Sequence, residues 1–194
     1  MMKTDCQDVL DFWFFPSGHP QYLRPRREWF AKDPAFDAEI ARRWGPLVEQ
    51  AGAGGLLEWE NAPLGALARI ILLDQFPRNI WRDTPKAFEM DPQALAASLR
   101  LLERGADRGL APMQRVFAYL PLEHAEDLAT QERSVALFRE LADQAPETAE
   151  NLDYAVRHRD IVARFGRFPH RNRILGRATT PEETAFLAQP GSGF

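Results

Sequence analysis

The chain has 194 residues, 45% of them hydrophobic and 27% charged, a balance that excludes a disordered polypeptide, and no apolar run is long enough to span a bilayer. A single cysteine, Cys6, excludes an internal disulfide, and Met1–Cys6 has no apolar stretch of signal-peptide length before Asp8 and Asp11 intervene. The expectation is a soluble, cytoplasmic protein folded as one helical domain over residues 1–194, with no membrane association.

The net charge of −4 is unevenly spread. Seven arginines against Asp160 alone make residues 154–178 a segment of +6, which leaves −10 on the rest. Arginine outnumbers lysine 21 to 3. A guanidinium is a planar fork that matches carboxylates and phosphates, so this bias favours ion pairing over simple solvation. The overall negative charge disfavours nucleic acid as a partner, although the basic segment alone would suit it.

In chain order, the first predicted helix covers about residues 5–14 and ends in the aromatic run Phe12-Trp13-Phe14-Phe15, read as core because no basic residues interleave it. A loop with Pro16, Gly18, Pro20 and Pro25 follows. Asp33-Pro34 then pairs a capping side chain with a proline at the first helical position, and Phe36, Ile40, Trp44 and Leu47 share one face behind it. Ala51-Gly52-Ala53-Gly54-Gly55 breaks that helix. The next covers about residues 63–76, where Ile70-Ile71-Leu72-Leu73 covers every side of a helix and demands burial all round. Asp74 projects from that buried surface and requires a partner, for which Arg78 is in reach if the helix survives Pro77. Asp91-Pro92 starts a further helix that Gly105 ends.

Helices follow at about 112–120, 122–144 and 148–165, with Pro121 expected to break or kink the chain between the first two. Thr180-Pro181-Glu182-Glu183 is a capping box that opens the last helix. No period-2 strand pattern and no solenoid repeat of fixed length is present. The fold class is all-α, a compact array of about seven to nine antiparallel helices.

Three groups carry the candidate chemistry. Asp74, Arg78 and Asn79 lie at the end of the apolar helix. His124 and Asp127 lie in Tyr119-Leu120-Pro121-Leu122-Glu123-His124-Ala125-Glu126-Asp127, where His124 shares a stripe with Phe117, Leu120 and Leu128 and so points inward. The third group runs from Arg157-His158-Arg159-Asp160-Ile161 to Phe165-Gly166-Arg167-Phe168-Pro169-His170-Arg171-Asn172. There His158 shares a stripe with Tyr154, Ile161 and Phe165, and Gly166 ends the helix. Arg167, His170, Arg171 and Asn172 then fall on an exposed turn suited to gripping an anion.

On these grounds His124, His158, His170 and Asp127 are candidates for proton transfer, and Asp74, Arg78, Asn79, Arg167, Arg171 and Asn172 for ligand binding. Each has a plain structural alternative. Asp74 pairs with an arginine or caps the Arg78-Asn79 turn, a lone inward histidine is commonly a hydrogen-bonded core residue, and the arginines neutralise acids within the fold. Metal binding is not expected, since the Glu-x-x-His pairs of helical metal sites are absent and no cysteine pair assists. No cofactor is expected either.

The same phrases, together with Val9-Leu10-Asp11-Phe12-Trp13-Phe14, Leu72-Leu73-Asp74-Gln75-Phe76-Pro77-Arg78-Asn79 and Ile174-Leu175-Gly176-Arg177, resemble the bacterial "domain of unknown function 924" family over nearly the whole chain. The resemblance implies an all-α fold of the tetratricopeptide-like superfamily, though this sequence shows no clear repeats. It assigns no activity and carries no catalytic role onto any residue here. The functional expectation is therefore a small-molecule-binding protein or enzyme with an Arg/His/Asp-lined pocket for an anionic ligand. The alternative is a tetratricopeptide-like module that binds a protein partner on a helical surface without catalysis.

Overall fold

The structure, a computed structural model, describes residues 5–192. Met1–Thr4, part of the stretch read above as lacking an export signal, and Gly193–Phe194 lie outside the described residues. Among the described residues there are eight α-helices and no strand: α1 (Cys6–Phe14), α2 (Pro34–Gly52), α3 (Pro63–Ile80), α4 (Asp91–Glu103), α5 (Pro112–Glu123), α6 (Leu128–Gln144), α7 (Ala149–Phe165) and α8 (Pro181–Leu187). Short 3-10 turns fill most of the links. No described helix is long and apolar enough to cross a membrane.

The caps explain most of the boundaries. Asp5 and Thr180 each form a capping box, on α1 and α8, and Asp33 receives the Ala35 and Phe36 amides at the start of α2. Two expectations need correction. Helix α4 begins at Asp91 itself with Met90 as its cap, so the Asp91 carboxylate is released from capping and takes the Arg78 fork instead, at 2.9 and 3.0 Å. Pro121 does not divide α5 from α6. It sits inside α5, and the chain leaves the helix only after Glu123. The break falls there because the Asp127 side chain accepts the Thr130 amide at 2.8 Å and starts α6 afresh. Pro77 is likewise absorbed within α3, which continues to Ile80 and keeps Arg78 one turn beyond Asp74.

The chain divides into two compact units, residues 1–82 with 86–121 and residues 83–85 with 122–194. In the first, α3 is the central element and packs against α1, α2 and α4. Side-chain bonds between helix ends show the antiparallel sense of its neighbours. Arg82, just past the end of α3, forks onto Asp37 at the start of α2, while Arg69 near the start of α3 reaches the Ala51 carbonyl at the end of α2. Every residue of α3 from Gly65 to Pro77 is buried, as the Ile70–Leu73 run requires. The aromatic start is core: Trp13 lies within 6 Å of the ring centres of Trp29, Phe36, Phe76 and Phe117. Burying rings of this size contributes about 1.5–3 kcal/mol each.

In the second unit α6 and α7 form a helical hairpin. Arg159 late in α7 pairs with Glu132 early in α6, the antiparallel sense again. Val135, Phe138 and Leu141 of α6 and Ala155, Ile161 and Val162 of α7 are buried, and Phe168, from the turn after α7, is fully buried with Ile161 and Val162. Gly166 ends α7 as expected, at φ +68°, with its amide returning to the Val162 carbonyl.

Candidate functional site

The second unit gathers the phrases around His124, His158 and His170. Glu123 is the last residue of α5, and the last carbonyls of a helix need partners from outside its own hydrogen-bond ladder. Gln131, fully buried on α6, supplies them: its amide nitrogen donates to the carbonyls of Glu123 at 2.6 Å and Ala125 at 2.7 Å. The Glu123 side chain meets His158 of α7, whose Nδ1 lies 3.1 Å from Glu123 Oε1 and 2.9 Å from the Tyr154 carbonyl. Both side chains are nearly closed to solvent, at 7% for His158 and 4% for Glu123.

A carbonyl oxygen only accepts, so Nδ1 of His158 carries the hydrogen, and the lone pair of the neutral ring resides on Nε2. Burial holds His158 far below its ordinary range, at about 3, with the charges of His124, Arg171 and His170 acting in the same direction and the Tyr154 carbonyl opposing. His158 is therefore neutral at pH 7, and its contact with Glu123 is a hydrogen bond donated by the imidazole to Glu123 Oε1. Burial also lowers His170, to about 4, followed by the charge of Arg171, against the opposing pull of Glu126.

Phe168 is the hub of the aromatic contacts. The His158 ring meets it edge-on at 5.4 Å, His170 lies at 5.7 Å, and the Arg171 guanidinium sits 4.6 Å above its face. The His124 ring is 6.4 Å from that of His158.

A frame of ion pairs holds this turn. Glu126 accepts a two-bonded fork from Arg177 and also the Phe168 amide, while Arg177 returns bonds to the Phe168 carbonyl and to Asn172 Oδ1. Glu183 of α8 accepts both nitrogens of the Arg167 fork, the Asn172 amide and the Thr180 amide.

The structure thus sorts the sequence candidates. His124, His158, His170 and Arg171 come together around Phe168. Asp127, Arg167 and Asn172 lie in the same unit but serve the frame, as a helix cap, as the fork on Glu183, and as the bridge between Arg177 and Glu183. The expected exposed turn is closed, since Arg171 and Asn172 are buried at 7% and 1% exposure. The stripe drawn through His124 also fails, because His124 follows the end of α5 and Leu128 is exposed. Tyr154, placed on the His158 stripe, is exposed as well, whereas Ile161 is buried.

Asp74, Arg78 and Asn79 belong to the first unit. Asp74 is fully buried and lies 3.4 Å from Arg78, which forks onto Asp91, and Asn79 donates to Asp37 at 2.7 Å. Among the described residues no group of three His, Cys, Asp or Glu side chains has the arrangement to hold a metal ion. Sequence reasoning missed Glu123 as the partner of His158 and Gln131 as the cap of α5. The signal that could have found Glu123 was its place beside His124 in the Tyr119–Asp127 phrase.

The family model described as "bacterial protein of unknown function (DUF924)" matches residues 9–191. The chain belongs to the DUF924 family. A DUF924-like fold is seen also in the solved structure of a protein of unknown function from Agrobacterium tumefaciens, 40% identical, which superimposes with a TM-score of 0.83 over 94% of this chain and 96% of that one. No curated protein matches the chain. Neither relation assigns this DUF924 chain an activity, since a shared fold does not fix function.

Proposed function

We propose that this DUF924 protein binds a small anionic ligand, a carboxylate or phosphate, at the histidine and arginine cluster around Phe168, with a histidine moving a proton on that ligand. One observation carries the reading: a buried, ring-stacked guanidinium, Arg171, shares its surroundings with imidazoles that burial keeps neutral. An arginine stacked on an aromatic face is pre-organised for a planar anion, and neutral imidazoles add donors and acceptors without repelling a second charge. The surrounding forks on Glu126 and Glu183 hold the turn that carries Arg171, so little ordering cost falls on the ligand.

A helical docking module draws less support. The exposed large hydrophobic side chains described in the second unit are Leu128 and Tyr154, in the first Tyr22, Phe30, Leu57 and Leu64. Isolated residues of this kind are ordinary on a protein surface.

The test is a thermal-shift screen of phosphate monoesters and small carboxylates on the wild type and on Arg171→Gln. At a ligand concentration of about 100 times Kd, binding stabilises by about 2.7 kcal/mol, which is readable as a higher Tm. We expect at least one anion to raise the wild-type Tm and to lose that effect in the variant. No shift with any anion, or the same shift in both proteins, overturns the proposal.

A further inference from the structure

Gln7, Leu10, Asp11 and Phe14 of α1 fall at i, i+3, i+4 and i+7, one face of a helix, and all four line a cavity of about 170 Å³ within the first unit. Leu10 and Phe14 are buried and give it an apolar floor, while the more exposed Tyr22 and Leu64 stand at its edge. The loop that carries Tyr22 is fastened at two points. The Tyr22 amide donates to the His19 carbonyl at 2.9 Å, and the Leu23 amide to the Phe14 carbonyl at 3.0 Å. A cavity on the order of 150 Å³ already accommodates a molecule the size of benzene, so this one has room for a ring and a short chain.

Two polar groups give that apolar setting a direction. Asp11 is the charged side chain of the lining. Gln7 Nε2 donates to its Oδ1 at 2.7 Å, and among the described residues Asp11 forms no ion pair. Helix α1 carries a second acid, Asp8, and no base, so the local field favours a cation. Arg26, at the end of the neighbouring loop, is held elsewhere, by the Phe12 and Trp13 carbonyls and over the Phe15 ring.

Gln114, the third residue of α5, is 6% exposed. Its Oε1 accepts the Ala111 amide at 3.0 Å, which distinguishes oxygen from nitrogen. The amide nitrogen, a donor with no described partner, is the end that Gln114 offers the cavity. A buried donor of this kind costs free energy until an acceptor meets it.

We propose that this cavity binds a small organic ammonium. The Asp11 carboxylate takes the cationic group, Leu10, Phe14, Tyr22 and Leu64 hold a ring-sized apolar body, and Gln114 Nε2 donates to an oxygen of the ligand. The inference stands apart from the anion reading above, since the two sites share no residue and select opposite charges.

Tyramine carries all three features, and 4-ethylphenol keeps the ring and the oxygen but lacks the ammonium. Titration of each into the full chain, followed in nitrogen–proton NMR spectra, gives a Kd and reads the Gln114 side-chain amide directly. We expect tyramine to displace the Gln114 amide signals and to bind about tenfold tighter than 4-ethylphenol. Asp11→Asn removes the charge and keeps an acceptor for Gln7, so we expect it to lose the preference. The wild-type comparison decides the matter if that variant does not fold. Gln114 signals that tyramine leaves in place, equal binding of the two probes, or a preference that survives in Asp11→Asn each overturns the proposal. None of these outcomes bears on the anion reading, which its own screen decides.

Discussion

Arg177 closes a two-bonded fork on Glu126 across 51 positions of sequence, at 2.5 and 2.9 Å, and so ties the turn after α5 to the turn after α7. The same carboxylate accepts the Phe168 amide at 2.8 Å. Burial works against ionisation of Glu126, but the Arg177 fork and the Phe168 amide outweigh it and hold the carboxyl below its ordinary value. Arg177→Lys keeps the charge and loses the fork. We expect it to cost about 1–3 kcal/mol in urea unfolding and to speed hydrogen exchange at the Phe168 amide, with Glu126→Ala at least as damaging. Unchanged stability in both variants would remove Glu126 from the frame.

Gly65 stands in the first turn of α3 because nothing larger fits. A Cβ built there falls 2.2 Å from the Trp59 carbonyl oxygen, a backbone atom that cannot swing aside as a side chain does. Gly65→Ala is expected to lower stability by about 1–3 kcal/mol, even though alanine is the better helix former. A thermal melt at or above the wild-type Tm contradicts this.

Acid should unfold the protein with proton uptake at histidine. His158 and His170 are held at about 3 and about 4 in the folded state, below the ordinary 6.5 they regain on unfolding. A lowered histidine contributes stability that is complete above the unfolded value and is lost as pH falls through 6.5 toward the folded values. Between those limits the unfolded state binds up to two more protons, a slope of about 2.7 kcal/mol per pH unit at most. Urea unfolding measured at intervals from pH 7 to pH 4.5 should show the decline, and His170→Gln should make it shallower. A flat profile in the wild type would contradict the burial assigned to these rings.

In the first unit, Arg78 answers two acids, the fully buried Asp74 and the half-buried Asp91. Arg78→Met leaves both in place and is expected to cost about 3–5 kcal/mol, the cost of breaking a buried ion pair from one side. Asp74→Asn removes one charge and keeps hydrogen-bonding capacity, so the smaller loss is expected there. Chemical denaturation of the two variants reads the order, and a reversal would mean that Arg78 does not serve Asp74.

Gln131 is buried without charge, and its task is to cap another helix. Gln131→Leu keeps the volume and strands those carbonyls, for an expected loss of about 1–3 kcal/mol. If Gln131 also sets the aim of Glu123, His158 nitrogen shifts will move in the variant, which a purely local defect would not produce.

Local information in the chain was enough for the helical class and for most helix boundaries. Caps at Asp33, Thr180 and Gly166, the apolar run Ile70–Leu73 and the absence of strand periodicity act over a turn or two of backbone, and each stands where the sequence put it. Where a local rule met a longer-range one, it lost. Pro121 and Pro77 stay inside helices because neighbouring contacts outweigh one missing hydrogen bond, and Asp91 gives up capping for Arg78. Which polar groups neutralise one another was decided only in three dimensions. Arg167 and Asn172 look like ligand contacts in a basic segment until Glu183 arrives from a distant position. The pairing of Glu123 at the end of α5 with His158 of α7 has the same cause: a hydrogen bond depends on distances near 3 Å, which the packing of helices sets and the order of residues does not.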